Sequence, residues 1–600
     1  MPFRRLPLPF VLALSLLVAH PAGAAGTKVL RYALEEAETG FDPAQVSDIY
    51  SREIIDNIIE APLRFDLLAR PVALRTNTAL DLPEMSADAR EITLRIRPGI
   101  HFADDPAFHG RPRELTAADY AYSLRRHFDP RVHSQSYAEL RGDDILGLQP
   151  LRERAEQAHA AFDYDTPVEG LQLLDRYTLR IRFGHPSPRF PLKLAQSKFA
   201  GAMAREVVEA YGDAIMEHPV GTGPFKLVQW RRASRMVLER NPGFRVETWD
   251  EHPAADDADG QAIAKRLRGR REPLVDRVEV SIIQEAQPAW LAFQQGDFDY
   301  LAVLPVLADL VAPGGRLAPN LARRGISVHF VPRPAVIYTY FNMDDPVVGG
   351  YTPERVALRR AISLGYDTDA EIRLVRHHLA VPAQGLVVPL VPGYDPGLRS
   401  GMNEYNPERA RALLDLYGYV DRDGDGWRDL PDGRPLVLHM ATETDSATRL
   451  FDELWQKSME RIGIRMVFDR AQWASNMQQA RADKLQMWFL GWTASEPDLE
   501  DTLGIAYGPQ KGQGNYANFD LPAFNTAFRR ILELPDGAER SAEIARAQKL
   551  LVAYMPYKGH VNGVRMLVTQ PWLTGYPANP FVYGWWRFVD VDEAHAGKAP

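Results

Sequence analysis

Apolar residues recur along the chain in two rhythms, one of strands and one of helices. Val29, Leu30, Tyr32 and Leu34 mark a first strand over Thr27–Leu34, which runs into an acidic turn, Glu35-Glu36-Ala37-Glu38. Ile54, Ile55, Ile58 and Ile59 then fall on one face of an amphipathic helix. Ile92–Ile96 alternates like a half-buried strand and ends at Pro98-Gly99. Thr116-Ala117-Ala118-Asp119 reads as a capping box. The helix it opens carries Tyr120, Leu124 and Phe128 and stops before Pro130. Residues 132–170 look polar and irregular, Tyr177–Phe183 alternates again, and the acidic-then-basic stretch 246–275 reads as a solvated insertion loop. In the second half, Thr352-Pro353-Glu354 and Asn406-Pro407-Glu408 each open a helix. The latter turns Leu413, Leu414 and Tyr417 inward and stops at Gly418. Strands are expected at Leu436–Met440, Ile464–Phe468 and Gln486–Gly491. Strands alternating with helices predict an α/β protein.

Length divides this pattern. The chain has 600 residues, and one core stops growing near about 250–300 residues, so at least two lobes are expected. A net charge of −9 offers no basic face for nucleic acid. The absence of cysteine excludes disulfides, thiolate metal sites, cysteine nucleophiles and a lipid-modified N-terminal cysteine. Arg4 and Arg5, the apolar run Phe10–Ala19 and the small residues Ala22-Gly23-Ala24 have the form of an export signal over residues 1–24. The run is shorter than the roughly 20 apolar residues that a membrane span needs. The expectation is a monomer in the periplasm of a Gram-negative cell, neither inserted in the membrane nor a lipoprotein.

Catalytic signatures are missing from the chain. It has no phosphate-binding loop ending in Lys-Ser/Thr, no HExxH and no GxSxG. His377-His378 is the one adjacent histidine pair, and neighbours on a helix point apart. Abundant carboxylates keep a secreted hydrolase with paired acids open as an alternative, alongside a periplasmic chaperone or sensor. Asp421-Arg422-Asp423-Gly424-Asp425-Gly426, with Asp429, matches the first half of a calcium loop. Asp432 stands where the closing glutamate would fall, and a strand rather than a capped helix follows, so an acidic turn is the competing reading. No metal or cofactor is required by this reading.

Three blocks then resemble the extracellular solute-binding proteins of the oligopeptide and dipeptide type, the receptors of ABC importers. They are residues 92–130, with an R-x-G-x-x-F turn before a TA-x-D helix; residues 218–245, HPVGTGPFKLVQWRRASRMVLERNPGFR; and Tyr340-Phe341-Asn342 through Arg359-Arg360-Ala361-Ile362-Ser363. Tyr405–Tyr419, Ile462-Gly463-Ile464 and Gly491-Trp492 fit the same order. The resemblance runs over nearly all of the chain from Thr27.

It implies two lobes joined by crossing strands, with an extra domain in the first. The first lobe would take residues 25–62, 172–300 and 566–600, the extra domain 63–171, and the second lobe 301–565. A peptide or peptide-like ligand would lie between lobes that close by hinge motion, for delivery to a permease and ATPase complex. Candidate cleft residues are Glu35, Glu36, Glu38, Asn342, Thr442, Glu443, Thr444, Trp492, Ser495, Glu496 and Asp498. Such receptors carry an aspartate for the peptide amine where Ser495 stands; Glu496 or Asp498 would replace it if the loop is shifted. The dipeptide type places a carboxylate-binding arginine in the loop that here reads Thr442-Glu443-Thr444-Asp445, without a cation. A cationic, sugar-like or capped peptide ligand is therefore a second expectation.

Overall fold

The computed structural model describes residues 27–444, 446–576 and 579–592. The expected export signal lies outside them. Among the described residues no helix is long and apolar enough to cross a membrane.

One twelve-stranded sheet runs through the molecule. Its strands are β1 (Val29–Leu34), β2 (Phe225–Arg231), β3 (Arg235–Arg240), β4 (Arg277–Ile282), β5 (Tyr300–Val303), β6 (Ser327–Pro332), β7 (Ala335–Phe341), β8 (Ala380–Pro382), β9 (Val437–Thr442), β10 (Arg465–Arg470), β11 (Met487–Thr493) and β12 (Tyr557–Thr569). The order is β10-β9-β11-β7-β12-β5-β1-β4-β3-β2, with β6 and β8 also paired to β12. β12 belongs to both lobes. Its first half pairs with β7 and β8, its second half with β5 and β6. It is buried at both ends and half-buried only at Gly563–Arg565, where it crosses between them. β6 and β7 are one crossing partner, interrupted at Arg333-Pro334. Tyr300–Val303 and Ser327–Pro332 thus pair with the first-lobe half of β12, which puts the crossing after Pro332 rather than at 300/301.

The extra domain carries its own sheet, ordered Glu84–Met85, Glu91–Arg95, Thr178–Arg182, Leu171–Leu173. Its strands Leu171–Leu173 and Thr178–Arg182 carry it beyond the expected limit at 171. This domain shares one continuous core with the first lobe. The expected capping box forms, with the Thr116 backbone N–H donating to Asp119 at 2.7 Å, and opens the helix Ala117–Arg126. Residues 132–170 are more regular than their polarity suggests: Tyr137–Gly142 and Leu148–Ala158 are helices, anchored by buried Leu140, Leu148 and Leu151.

The stretch 246–275 departs in part from expectation. Its charge clusters are solvated, with Asp256, Asp259, Arg266, Arg268 and Arg271 exposed, but the segment between and around them is packed. Trp249 is fully buried, Ala258–Leu267 is a helix, and Glu251 and Glu272 pair with Arg64 and Arg587 to tie the C-terminal return to the first lobe.

The block 218–245 closes on itself. Gly223 donates its N–H to the Ile58 carbonyl at 2.8 Å, and Asn241 Nδ2 donates to the Gly223 carbonyl at 2.9 Å. Thr222 and Arg245 both bond Glu60. A Cβ on Gly223 would lie 2.6 Å from the Ile58 oxygen, and one on Gly221 would overlap it. Glycine is required here by close backbone approach.

In the second lobe a buried polar network holds β12. His560 bonds Glu371 at 3.0 Å and Thr339 at 2.9 Å; Tyr366 and Arg376 also bond Glu371, and Lys558 donates to Asn403 at 2.7 Å. Burial, joined by the Lys558 and Arg376 charges and opposed by Glu371, pulls the His560 pKa down to about 4. Burial pulls Lys558 down to about 7.

Two predictions follow from these contacts. Gly221→Ala should destabilise the protein by about 1–3 kcal/mol, read by urea unfolding, because the neighbour that must move is backbone. His560 binds its proton less readily folded than unfolded, so its stabilisation is complete above about pH 6.5 and drains away toward pH 4. His560→Gln should keep the hydrogen bonds and remove that term. The stability of the parent relative to H560Q should then fall by on the order of 1–3 kcal/mol between pH 7 and 4.

Candidate ligand cleft between the lobes

Register decides which ends of the second-lobe strands face the crossing. Ala335 pairs with Thr493 and Phe341 with Met487, so the C-terminal end of β11 lies at the hinge. Ala494 donates its N–H to the Pro334 carbonyl at 2.8 Å. β9 runs parallel to β11, so its end at Thr442 points the same way. β9 pairs with β11 only at Met487 and Trp488. From Phe489 to Thr493 the second edge of β11 has no strand partner among the described residues. Gly491 and Thr493 are exposed, and the half-buried Trp492 has an indole N–H without an acceptor among the described residues.

The first lobe presents a cavity of about 100 Å³ to this crossing, lined by Glu35, Tyr50, Glu53, Arg565, Tyr576 and Tyr583 among others. Its floor is aromatic. Tyr300 stacks on Tyr576 at 4.5 Å, and Trp585 packs edge-on to Tyr576 at 5.1 Å. The Trp585 indole N–H donates to Glu53 at 2.7 Å. Burial nevertheless pushes the Glu53 carboxyl up, against that bond and the Arg565 charge. Arg565 pairs with Glu35 at 3.0 Å. Burial works against its charge, but Tyr300 and Glu35 outweigh burial and hold its pKa raised.

The expected site residues separate into two groups. Glu35, Trp492 and Ser495 lie at the crossing, and Thr442 and Glu443 at the start of the open edge of β11, just past the Ala441–Trp488 pair. Glu443 accepts the Trp488 indole N–H at 3.1 Å, and Thr442 is buried with its hydroxyl lacking a partner among the described residues. Thr444 is exposed and receives a bond from Gln472, while Asp445 lies outside the described residues. Glu36 is exposed and bonds Gln284. Glu38 belongs to the scaffold instead: it is buried and accepts the Trp230 indole N–H at 2.6 Å and the Ala233 N–H at 3.0 Å. Asn342 follows Phe341 at the end of β7 away from the hinge, where it bonds Asp483 and the Leu485 carbonyl.

The loop after β11 resolves the question of the displaced acid. Asp498 is 1% exposed and takes two bonds from Arg540, at 2.8 and 2.7 Å. Glu496 is buried against Gln196, its carboxyl pushed well up by burial. Beside Ser495 stands a different carboxylate: Asp501 accepts from the Ser495 N–H at 2.8 Å and from its hydroxyl at 2.6 Å. The same loop touches the first lobe. Arg189 lies 3.5 Å from Asp498 and 2.9 Å from Asp536, and Lys193 lies 3.7 Å from Glu500, whose carboxyl burial raises to about 7.

Glu53, Asp501, Arg333 and Arg565 escaped the sequence reading. Arg565 had a signal, a cation between the apolar Val564 and Met566-Leu567-Val568; Asp501 had none, because its position follows from the fold of the loop.

Residues 73–514 match the model of the bacterial extracellular solute-binding proteins, family 5. The chain belongs to that family. Among its relatives is the di/tripeptide-binding protein 2 of Pseudomonas aeruginosa, 26% identical over 94% of this chain and 96% of the relative. The periplasmic oligopeptide-binding protein OppA of Escherichia coli is 22% identical over 89% of this chain and 87% of its own. Among solved structures, the DppA periplasmic binding protein of Helicobacter pylori in complex with the peptide STSA matches with a TM-score of 0.68 at 19% identity, covering 94% of this chain and 98% of that one. HbpA2 of Haemophilus parasuis matches with a TM-score of 0.72 at 18% identity, over 94% and 100%. At these identities the structural likeness is one of fold.

In this family 5 protein the acidic 421–432 turn lies apart from the cleft. Asp421, Asp423 and Asp429 approach within 4.8 Å, and each accepts backbone N–H groups of its own turn. Asp498 carries a direct prediction. Asp498→Ala would take the two-bond partner from the Arg540 guanidinium, 1% exposed, and leave it only the single carboxylate contact to the exposed Asp536 at 3.1 Å. It should cost about 2–4 kcal/mol of stability, measured by chemical denaturation.

Proposed function

We propose that the protein is an exported, periplasmic receptor that captures peptides or peptide-like small molecules and hands them to the permease and ATPase complex of an ABC importer. One observation carries this reading: the edge of β11 left open from Phe489 to Thr493 runs up to the crossing between lobes, where β11 ends beside Ala335. A free strand edge offers alternating N–H and C=O groups, which an extended peptide backbone matches whatever its side chains. The names of the family relatives, which bind dipeptides, tripeptides and oligopeptides, support the same ligand class. Those relatives are named as binding proteins, which favours a non-enzymatic role over the hydrolase reading and gives the chaperone or sensor reading no support. The protein would act as a monomer, without nucleic acid, cofactor or metal.

Asp501 takes the part of the missing aspartate in this proposal. Held beside Ser495, it would receive the ligand's ammonium group. The test is a thermal-shift series on the mature protein with di- and tripeptides, sugars and amino-acid derivatives. Ligand at about 100 times its Kd should stabilise the protein by about 2.7 kcal/mol. A rise with free-amine peptides that Asp501→Asn weakens about tenfold or more, with unchanged melting of the ligand-free protein, is the expected result. Stabilisation by sugars and by no peptide would overturn the peptide reading.

A further inference from the structure

The expected carboxylate-binding loop, Thr442–Thr444, has no cation, yet the hinge holds two. Val331 pairs with Arg565 and Pro332 with Val564, and the Arg333 N–H donates to the Gly563 carbonyl at 2.9 Å. Residues directly opposed in an antiparallel pair share a face, and alternate residues along each strand return to it. Val331, Arg333, Gly563, Arg565 and Leu567 therefore lie on one face. Val331, Arg565 and Leu567 line the first-lobe cavity, so this is the cavity face. The stem of Arg333 crosses over Gly563, close enough that a Cβ there would sit 3.5 Å from Arg333 Cδ.

The charges on this face do not balance. Glu35 pairs with Arg565 at 3.0 Å. Glu53 is held by Trp585, and burial favours its neutral form. Arg333 is exposed and has no carboxylate partner among the described residues; the groups it faces are Arg565, Glu35, Tyr50 and Tyr583. Its crevice and the Arg565 charge both work against its own charge. A second guanidinium beside one already paired calls for a second anion, and the planar fork of arginine matches a carboxylate with two parallel bonds.

We propose that Arg333, with Arg565, binds the carboxylate end of the ligand at the hinge, so that the ligand class is peptides with a free C-terminus. The proposal rests on the peptide reading given above. It reverses the second expectation from the sequence, a cationic or capped ligand. It also couples recognition to closure, because the anchoring cation sits where the two lobes join rather than on one of them.

The test needs no knowledge of the peptide. Mature protein, stripped of ligand by unfolding and refolding, is incubated with an equimolar di- and tripeptide pool as free acids and as C-terminal amides. The retained species are counted by mass spectrometry. Free acids should be retained over amides by about tenfold or more, and Arg333→Gln should bring that ratio close to one while amide retention stays unchanged. Arg333→Lys should keep a reduced preference, which separates charge recognition from a fold defect. Equal retention of acids and amides by the parent, or an undiminished ratio in R333Q, would overturn this proposal alone. Retention of neither form would overturn the peptide reading and this proposal together.

Discussion

A strand that leaves one core and enters another must keep its backbone hydrogen bonds while crossing water. β12 does so by never travelling alone. It is paired on both sides within each lobe, and at the crossing it keeps the β6–β7 strand beside it through the Arg333–Gly563 bond. This narrow ribbon, flanked up to Gly563 and Val564 by β8 on its other side, is the constraint on which the rest depends. It is narrow enough to bend and too well bonded to fray. It also determines which strand ends point to the crossing: β9 and β11 run parallel to one another and β11 antiparallel to β7, so both aim their C-terminal ends that way, β11 reaching it and β9 stopping short after Ala441 pairs with Trp488.

The two halves of β12 are anchored by different means. In the first lobe Met566 and Val568 enter an apolar cluster with Phe293 and Leu301. In the second, polar groups do much of the holding, through His560, Glu371, Lys558 and Asn403. A buried polar network tolerates sliding poorly, since any shift of register leaves donors and acceptors unpaired at a cost of about 1–3 kcal/mol each. Apolar contacts resist sliding less sharply. The second-lobe end of the ribbon is thus the fixed end, and bending should concentrate at Gly563–Arg565, the half-buried stretch of β12. Across the cleft, Arg189 and Lys193 meet Asp536, Asp498 and Glu500. Asp498 already has Arg540, so its pairing with Arg189 is additional, and separating the lobes there exposes Arg189 to water without stranding a buried charge.

Local grammar was legible where a residue type has a single structural meaning. The capping box at Thr116 and the glycines at 221 and 223 are of this kind, because backbone geometry alone demands them. Residues 246–275 were legible only in part. Their acidic and basic clusters are exposed as read, but the buried Glu251 and Glu272 gave no signal, because their partners Arg64 and Arg587 stand far away in sequence. Glu38 failed likewise: an acid in a turn after a strand suits a cleft rim, but Trp230 from a distant hairpin claims it. Asn342 was placed by a motif that marks a strand end, and a motif does not say which end faces the ligand; only the pairing of Phe341 with Met487 does. The loop after Gly491-Trp492 shows the limit most clearly. Its acids were visible in the sequence, yet which of them stands beside Ser495 depends on Arg540 having taken Asp498.

An unpaired strand edge is ordinarily a hazard, because it invites another chain to add a strand. Here the open edge of β11 is confined to Phe489–Thr493, bounded by β9 at one end and by the hinge at the other. In the proposed reading a short extended segment adds to this edge. The edge itself reads backbone and is indifferent to side chains. Discrimination must then come from the ends of that segment, and the charges available are arranged accordingly: Asp501 past the end of β11, and Arg333 with Arg565 on the hinge face. A receptor built this way would measure length and terminal charge while leaving side chains largely unread, which suits a transporter that must accept many sequences but refuse intact proteins.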